Sequence, residues 1–200
     1  MSQELLLPDQ NQPQQTLQFQ TQSPLLLGEI ASNHHLASLL NLKSAKLLTW
    51  LARTKLTHYT TLRIAKKEPG KYRILHNPDE QMRLAQYLIL RKVLSKFEIP
   101  DYIYAFEVGK NIPEMAAKHV GKKVVVSLDI KDFFPSIKQT RLLDIFLAAG
   151  VHPTAAVTLS EICTYKAFVP QGALTSPKVS NIVAAKSFGP EVKEYCDQHG

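Results

Sequence analysis

An α+β fold is predicted by three features of the sequence. Apolar residues recur at helical spacing over much of the chain, as at Leu36, Leu39 and Leu40. Two β-prone runs flank a turn at 66–70, which is typical of a hairpin. Three valines lead towards Asp129, as expected of a buried strand. Because helices and strands do not alternate regularly, the order favours α+β over a doubly wound parallel sheet.

The first half of the chain is predicted to be mostly helical, with the hairpin as an interruption. Asn77 followed by Pro78 is a favourable helix start, since Asn caps the first turn and Pro tolerates its first position. Pro100 is expected to stop the helix that follows. The elements expected in this half are two helices within 33–57, strands at 60–65 and 71–75, and a helix over 77–97.

The second half is predicted to contain one strand among short helices. Gly150 is expected to end one helix, and Ser176 followed by Pro177 to begin the last. The elements expected in this half are a helix at 112–120, a buried strand at 123–129, and helices at 141–149, 153–165 and 176–196.

Composition argues against several protein classes. No run of about 18 apolar residues occurs, and the first residues lack a basic segment before an apolar core, so neither a membrane span nor a secretory signal is predicted. Cys163 and Cys196 lack metal-ligand spacing and are expected to be reduced thiols, which favours the cytoplasm. Residues 1–24 hold eight Gln and three Pro, so we expect a flexible Gln-rich arm over 1–35.

The positive charge is concentrated in one part of the chain. Residues 43–96 carry 13 Lys and Arg against three acidic residues, whereas 97–200 carry 11 of each sign. A basic block beside a neutral one predicts a phosphate-binding surface, such as one for nucleic acid. A solvated basic helix face is the alternative, and charge by itself does not separate the two.

Asp129 is the first candidate catalytic residue. It follows the run Val124 to Val126, and a carboxylate at the end of a buried strand is costly unless it binds a partner such as a metal ion. For an isolated aspartate, a turn-capping role would be the simpler interpretation. Asp132 lies in the loop that follows and is expected to be a surface or capping residue.

A second candidate motif, FVPQGALTSP at 168–177, follows about forty residues later. Pro170 stiffens its approach, and Gly172 allows the backbone to come close to a ligand. Taken separately, these residues would indicate a plain Pro–Gly turn followed by a helix start.

The two strings KVVVSLDIKDFFPSI and FVPQGALTSP together resemble motifs A and B of the reverse transcriptase palm. The segments RILHNP at 73–78 and AFEVGKNI at 105–112, with Gln86 between them, are similar to bacterial retron-type enzymes. Group II intron reverse transcriptases share much of this pattern. One departure is Met115, which stands where retron enzymes commonly carry Asn. The resemblance covers about residues 36–200 and implies a right-hand polymerase, with fingers over 36–122 and part of the palm over 123–200.

The resemblance implies roles for residues of the palm. Asp129 and the carbonyl of Ile130 match metal ligands, which implies two Mg²⁺ ions in the complete enzyme, with Mn²⁺ as a substitute. Phe134 holds the position of a gate that excludes the 2′-hydroxyl of ribonucleotides. Gln171 and Gly172 correspond to residues that contact the incoming nucleotide.

The resemblance also implies phosphate binding by the hairpin. Lys66 and Arg73, which flank the turn, correspond to residues that bind the triphosphate, where Arg offers a bidentate fork. The other residues implied to contact nucleic acid are Arg63, Lys67, Lys71, Ser176, Pro177 and Asn181.

The activity implied by the resemblance is RNA-directed DNA polymerisation. Such an enzyme adds deoxynucleotides to a 3′-hydroxyl on an RNA template, here in a retron-type system linked to phage defence. The implied partners are deoxynucleoside triphosphates and a template and primer RNA, for which a structured non-coding RNA is a candidate. Two alternatives stay open: a non-polymerising nucleic-acid-binding module of the same fold, and a template-independent defence polymerase.

The third catalytic motif of the family, Tyr-x-Asp-Asp, does not occur in this sequence. It supplies the other metal-binding carboxylates and normally follows a helix like the one predicted at 176–196. We therefore expect the chain to be truncated before that hairpin and the thumb, and to be inactive by itself. The remaining palm and thumb are expected in the same polypeptide or in a second chain.

Overall fold

The computed structural model describes residues 27–199, which form nine α-helices and one antiparallel hairpin. The predicted α+β class is confirmed. The strands are Tyr59–Ala65 (β1) and Tyr72–Pro78 (β2). The helices are Asn33–Leu39 (α1), Ala45–Arg53 (α2), Glu80–Lys92 (α3), Ile112–Ala117 (α4), Phe133–Ser136 (α5), Gln139–Ala148 (α6), Pro153–Ile162 (α7), Ser176–Ala185 (α8) and Phe188–His199 (α9).

Helix α7 lies at the centre of the helical body. Its sequence, PTAAVTLSEI, is apolar or small on most sides, so neighbouring helices can enclose it. It packs against α1, α2, α3 and α6. Ala155, Ala156, Leu159 and Ile162 are fully buried. Because complete burial of one large aliphatic side chain contributes about 1.5–3 kcal/mol, this helix is central to the stability of the body.

The predicted N-terminal arm falls mostly on residues 1–26, which lie outside the described residues. Its last part, residues 27–35, packs into the core. Leu27 and Ile30 are buried, and the amide of His152 donates a 3.0 Å hydrogen bond to the carbonyl of Ile30. This stretch is therefore attached to the start of α7, where His152 is the N-cap.

The predicted hairpin is confirmed, and it projects away from the helical body. Leu62 pairs with Leu75 and Arg63 with Ile74. Every residue from 60 to 74 is exposed, whereas His76 and Pro78 at the base of β2 are buried. The hairpin is thus anchored at its base and presents both faces to solvent near its tip.

Helix α3 begins later than the sequence suggested. Asn77 and Pro78 belong to β2, where Tyr59 pairs with Pro78 and keeps the chain extended. The N-cap is Asp79, whose carboxylate accepts a 2.9 Å hydrogen bond from the amide of Met82. The helix also ends earlier, at Lys92, and a 3₁₀ turn follows at Leu94–Lys96.

The single helix predicted over 176–196 is divided into α8 and α9. Pro190 explains the break, because it has no amide hydrogen to donate to the carbonyl of Lys186 and its ring would clash with that carbonyl in a continuous helix. The carbonyl of Lys186 instead accepts a 3.4 Å hydrogen bond from the guanidinium of Arg141 on α6.

The buried strand predicted at 123–129 is not observed. Residues 123–130 adopt no regular secondary structure and are exposed. Val124, Val125 and Val126 have 76%, 58% and 71% of their surface exposed. A strand requires a hydrogen-bonded neighbour, and among residues 27–199 the sheet consists of β1 and β2 alone.

The base of β2 is attached to the helical body by the loop 169–175. The amide of His76 donates a 2.7 Å hydrogen bond to the carbonyl of Gln171. Gly172 follows at φ +114, and a Cβ built on it would lie 2.8 Å from the carbonyl oxygen of His76. Only glycine allows the two backbones to approach this closely. The contact fixes the loop beside the hairpin.

The cap at Asp79 gives a prediction about stability. Asp79 Oδ2 lies 2.6 Å from Nδ1 of His58, and the Asp79 amide bonds the His58 carbonyl. Asp79→Ala should lower the free energy of unfolding by about 1–2 kcal/mol, because the cap and the His58 contact are both lost. Glu80→Ala, in the same exposed turn but without a capping bond, is the matched control and should cost less than about 0.5 kcal/mol.

The Asp79 effect should also depend on pH. Partial burial raises the pKa of Asp79, but hydrogen bonds from Met82 and His58 outweigh it, and the net pKa lies below its ordinary value. A carboxyl of this kind stabilises the fold above its unfolded pKa of about 3.9, and the effect is lost as the pH falls through the folded pKa. Urea unfolding of parent and variant should show a difference that shrinks in acid. A constant difference would contradict the assignment.

Gly172 gives a second prediction about packing. Gly172→Ala should destabilise the protein by about 1–3 kcal/mol more than Gly109→Ala. Both glycines have positive φ, at +114 and +80, but a Cβ on Gly109 would meet nothing within 4 Å. The control therefore carries the backbone strain without the clash. Equal losses in thermal or urea unfolding would show that the approach to His76 is not tight in solution.

Candidate active site

The hairpin separates its basic residues onto two faces. Ile64 pairs with Arg73, and the amide of Lys66 donates a 2.9 Å hydrogen bond to the carbonyl of Lys71, which continues the ladder. Because paired residues share a face, Lys66, Lys71 and Arg73 lie on one side. Lys71 also forms an ion pair with Glu68. This face of the hairpin therefore presents three exposed cations close to its turn.

Arg63 lies on the opposite face of the hairpin. It pairs with Ile74, and its guanidinium carbon sits 4.7 Å from the centre of the Tyr72 ring. Lys67 lies in the turn between the strands. The five basic hairpin residues selected from the sequence are therefore all exposed, but they do not form a single cluster.

The loop 169–175 is held from both of its ends. The hydroxyl of Ser176 donates a 2.6 Å hydrogen bond to the carbonyl of Pro170, which closes the loop. The amide of Val169 bonds the carbonyl of Ile137 at 3.0 Å. Gln171 is half-buried at the point where His76 bonds its carbonyl. The structure therefore brings Gln171 and Gly172 to the base of the basic hairpin.

His76 occupies an aromatic pocket beneath this contact. Its ring centre lies 4.8 Å from that of Tyr165 and 5.8 Å from that of Phe168, and Nδ1 is 3.2 Å from the hydroxyl of Thr61. Burial and the positive charge of Lys166 lower the pKa of His76 below its ordinary value. The imidazole is therefore neutral near neutral pH, and it acts as a packing group at the base of the hairpin.

Asp129 is exposed near the end of the irregular segment 123–130. The desolvation cost that pointed to a metal is absent, because the valines before it are exposed as well. Its carboxylate can still bind a divalent cation, since Mg²⁺ accepts oxygen ligands and retains waters. Within residues 27–199 no three His, Cys, Asp or Glu side chains form a group able to hold a metal. The described residues thus fit part of a metal site.

Phe134 lies just beyond Asp129, in α5. It is half-buried, and its ring centre is 6.3 Å from that of Phe133. Phe133 contacts Phe188 of α9 edge-on, at 5.9 Å between ring centres. A cleft of about 380 Å³ opens beside these residues and is lined by Ile130, Phe133, Arg141 and Phe188 among others.

Three predicted nucleic-acid contacts from the α8 segment are placed differently from the hairpin residues. Ser176 and Asn181 are buried, and Pro177 is half-buried. The side-chain amide of Asn181 donates hydrogen bonds to the carbonyl of Ala105 at 2.6 Å and to Glu107 at 2.8 Å. These side chains support the loop and the segment 104–110, and their contact with nucleic acid stays a prediction.

Glu107 forms a second link between these segments that the sequence did not reveal. Its carboxylate pairs with the ammonium group of Lys178 at 3.0 Å, and both side chains are largely buried. Lys178 therefore serves the fold and is not a surface cation available to a polyanion.

The sequence did not predict a role in the site for two further residues, His76 and Gln86. His76 lies within a strand, and Gln86 lies between the two segments that resemble retron-type enzymes. Gln86 is completely buried in α3, although most buried residues around it are apolar. A polar residue on the buried stripe of a helix is a signal for an internal hydrogen-bond network.

The cysteines show no reactive thiol in the interior. Cys163 is buried, and burial raises the pKa of its thiol to about 12, so it is protonated at neutral pH. Cys196 is exposed on α9.

No helix among the described residues has the length and apolar character needed to cross a membrane.

Comparison with known proteins identifies the family. Residues 64–196 match the family model described as reverse transcriptase (RNA-dependent DNA polymerase). The chain is 30% identical over 151 residues to the retron Ec86 reverse transcriptase of Escherichia coli, which covers 75% of this chain and 46% of that protein. It is 32% identical over 149 residues to the retron Mx65 reverse transcriptase of Myxococcus xanthus, with 66% and 35% covered.

The match contains the features on which the resemblance rested. It spans β2, Asp129 and the loop 169–175. The chain spans less than half the length of these two curated relatives. The family model covers well over half of the chain itself, so the protein belongs to the reverse transcriptase family and is similar to its retron members.

Proposed function

We propose that this chain forms the fingers and part of the palm of an RNA-directed DNA polymerase. The complete enzyme adds deoxynucleotides to a 3′-hydroxyl on an RNA template. The observation that carries the proposal is the 2.7 Å hydrogen bond from His76 to the carbonyl of Gln171. It attaches a loop matching the family's nucleotide-contact motif to a hairpin that presents several cations.

The hairpin supports the triphosphate role. Lys66 and Arg73 share one face, so both can approach the same polyphosphate. Arg73 can bind two phosphate oxygens through its planar fork, whereas Lys66 acts as a point charge. Gln171 and Gly172 lie at the hairpin base and would contact the sugar and base of the incoming nucleotide.

Asp129 and the carbonyl of Ile130 would bind Mg²⁺, with Mn²⁺ as a substitute, and the remaining ligands would come from outside the described residues. Bound divalent ions supply an activated 3′-hydroxyl and neutralise the triphosphate. The exposed carboxylate of Asp129 is accessible for this role. We propose that the remaining palm and thumb, in the same or a second polypeptide, complete the site.

Phe134 is proposed to select deoxynucleotides. Its ring is half-buried and lies 6.3 Å from that of Phe133, and Pro135 restricts the backbone that follows it. A large ring beneath C2′ would leave no room for a 2′-hydroxyl, so selection would be steric.

Template and primer RNA are proposed to bind along the basic fingers. The net charge of residues 43–96 and the exposure of Arg63 and Lys67 support this. Ser176, Pro177 and Asn181 would act by holding the loop and α8 under the template. We propose a structured RNA as the template and a cytoplasmic role in phage defence, because the motifs of the chain resemble those of retron-type enzymes.

A nucleic-acid-binding module without polymerase activity is the second candidate. It is favoured by the exposed basic residues of the hairpin, which can bind RNA phosphates without a metal site. The two candidates predict the same binding of RNA and different dependence on Asp129.

Substitution of Asp129 distinguishes the two candidates. In a protein that joins this chain to the remaining palm and thumb, Asp129→Asn should lower primer extension with Mg²⁺ at least a hundredfold, because a metal ligand is lost. RNA affinity should stay within about twofold of the parent. Asp132→Asn is a matched control: it removes one charge three residues away, at a φ of +50 that Asn tolerates.

The control should retain at least a third of parental activity. Extension by Asp129→Asn within tenfold of the parent would refute the metal-binding role. A folded parent protein that binds RNA but extends no primer would favour the binding module.

Charge reversal tests the hairpin as the RNA-binding surface. Arg63→Glu with Lys67→Glu should weaken RNA binding at least tenfold and reduce the slope of log affinity against log salt by about 1.4, given about 0.7 per single-strand phosphate contact. Lys186→Glu with Lys193→Glu makes the same change in net charge on exposed positions of the second half. Lys178 is unsuitable as a control because its ion pair with Glu107 is largely buried, whereas the ion pair of Lys193 with Asp197 is exposed.

Fluorescence anisotropy with a labelled RNA at several salt concentrations measures both quantities. Equal losses of RNA affinity in the two double variants would mean that binding depends on the net charge of the protein. The hairpin would then not be a specific binding surface.

A further inference from the structure

Gln86 connects three separate parts of the molecule around one carboxamide. Its side-chain nitrogen donates to the hydroxyl of Tyr59 at 2.7 Å and to the carbonyl of Ile162 at 3.1 Å. Its side-chain oxygen accepts a 3.3 Å hydrogen bond from the amide of Leu174. Tyr59 begins the hairpin, Ile162 ends α7 and Leu174 lies in the loop 169–175. We propose that Gln86 is a positioning residue that sets the loop 169–175, and with it Gln171, relative to the hairpin.

The orientation of this carboxamide is determined by its partners. Ile162 offers only a carbonyl at this point, and Leu174 offers only an amide hydrogen. A flipped carboxamide would face oxygen to oxygen and nitrogen to nitrogen at both contacts, leaving buried groups unsatisfied. Both amino hydrogens and the oxygen are thus engaged in one arrangement. The side chain has a single state in which all three connections exist.

The surroundings of Gln86 keep this arrangement neutral and rigid. The side chain is 0% exposed, so water does not compete for its hydrogen bonds. The Tyr59 ring packs against that of Tyr165, with 4.6 Å between centres. Burial raises the pKa of Tyr59 above its ordinary value, so its hydroxyl stays protonated at physiological pH. The hydrogen bonds by which Gln86 connects the hairpin to the loop 169–175 are therefore made between neutral groups.

Gln86 and His76 hold the loop at two points three residues apart. His76 bonds the carbonyl of Gln171, and Gln86 bonds the amide of Leu174. With both present, the backbone between these residues has little freedom to move away from β2. This inference rests on the proposed function, in which Gln171 contacts the incoming nucleotide. Loss of Gln86 should then weaken nucleotide binding without removing any group that touches the nucleotide.

The contact itself is tested by hydrogen exchange on the 200-residue chain. Gln86→Met keeps the volume of the side chain but removes all three hydrogen bonds. The amide of Leu174 should exchange at least tenfold faster than in the parent. Tyr59→Phe is the matched control, because it removes one partner of Gln86 and leaves the bonds to Ile162 and Leu174. Exchange at Leu174 in that variant should stay within threefold of the parent.

Exchange in α7 reports whether each variant is folded. If Gln86→Met loses protection throughout α7, Gln86→Asn replaces it, since this variant keeps a carboxamide but is too short to span all three partners. Leu174 should again exchange at least tenfold faster. Unchanged protection of Leu174 in the folded Gln86 variant, or equal acceleration in Tyr59→Phe, would overturn the proposal.

The consequence for the reaction is tested in a protein completed with the remaining palm and thumb. Gln86→Met should raise KM for deoxynucleotides at least fivefold, while kcat stays within threefold and affinity for primer and template within twofold. Tyr59→Phe should leave KM within twofold, even where both variants melt at lower temperature. An equal change in KM for the two variants would reduce Gln86 to a stabilising residue and overturn its positioning role.

The two arms separate this proposal from the function on which it rests. A parent protein that extends no primer would overturn the proposed polymerase activity, and the exchange experiment would still decide whether Gln86 holds the loop.

Discussion

The architecture around the candidate site depends on one constraint: polar backbone groups that are buried must be hydrogen-bonded. The hairpin reaches the helical body through the base of β2, and there the amide of His76 finds its acceptor in Gln171. Opposite this point, the amide of Leu174 and the carbonyl of Ile162 are both satisfied by Gln86. The loop 169–175 therefore follows the path on which these backbone groups are hydrogen-bonded. Gly172 permits this path because it has no Cβ to clash with His76.

The same constraint explains why, at several positions, a side chain of equal volume without the polar group would not preserve the structure. Asn181 and Glu107 tie the segment 104–110 to α8, and Asp79 ties the start of α3 to His58. Each link joins elements that are distant in sequence. The basic surface of the hairpin is then presented on a fixed base, as the proposed recognition of a polyphosphate would require.

The sequence predicted the local elements well because their signals are local. The periodicity of α1, α2, α6 and α7 and the turn between β1 and β2 follow from residues within a few positions of each other. The predicted helix start at Asn77 failed because pairing of Pro78 with Tyr59 extends β2, a contact made across the hairpin. The helix predicted over 176–196 is divided in the structure because Pro190 has no amide hydrogen to donate to the carbonyl of Lys186.

The candidate site was less predictable than the fold because it depends on contacts between residues that are distant in sequence. The side chains of Lys66 and Arg73 could be chosen from the sequence, and the ladder shows that they share a face. The strand expected before Asp129 required a neighbour that residues 27–199 do not supply. Gln86 acts through three partners at sequence distances of 27, 76 and 88 residues, and no short motif encodes such a set.

The exposed valine segment has a practical consequence for handling the protein. Residues 123–130 form no strand and expose three β-branched valine side chains, as an uncovered edge strand does. A second copy of the chain would cover these side chains by pairing through the same segment. Self-association should therefore rise with protein concentration, and charged substitutions at Val124 or Val126 would keep the isolated chain dispersed without disturbing the helical body.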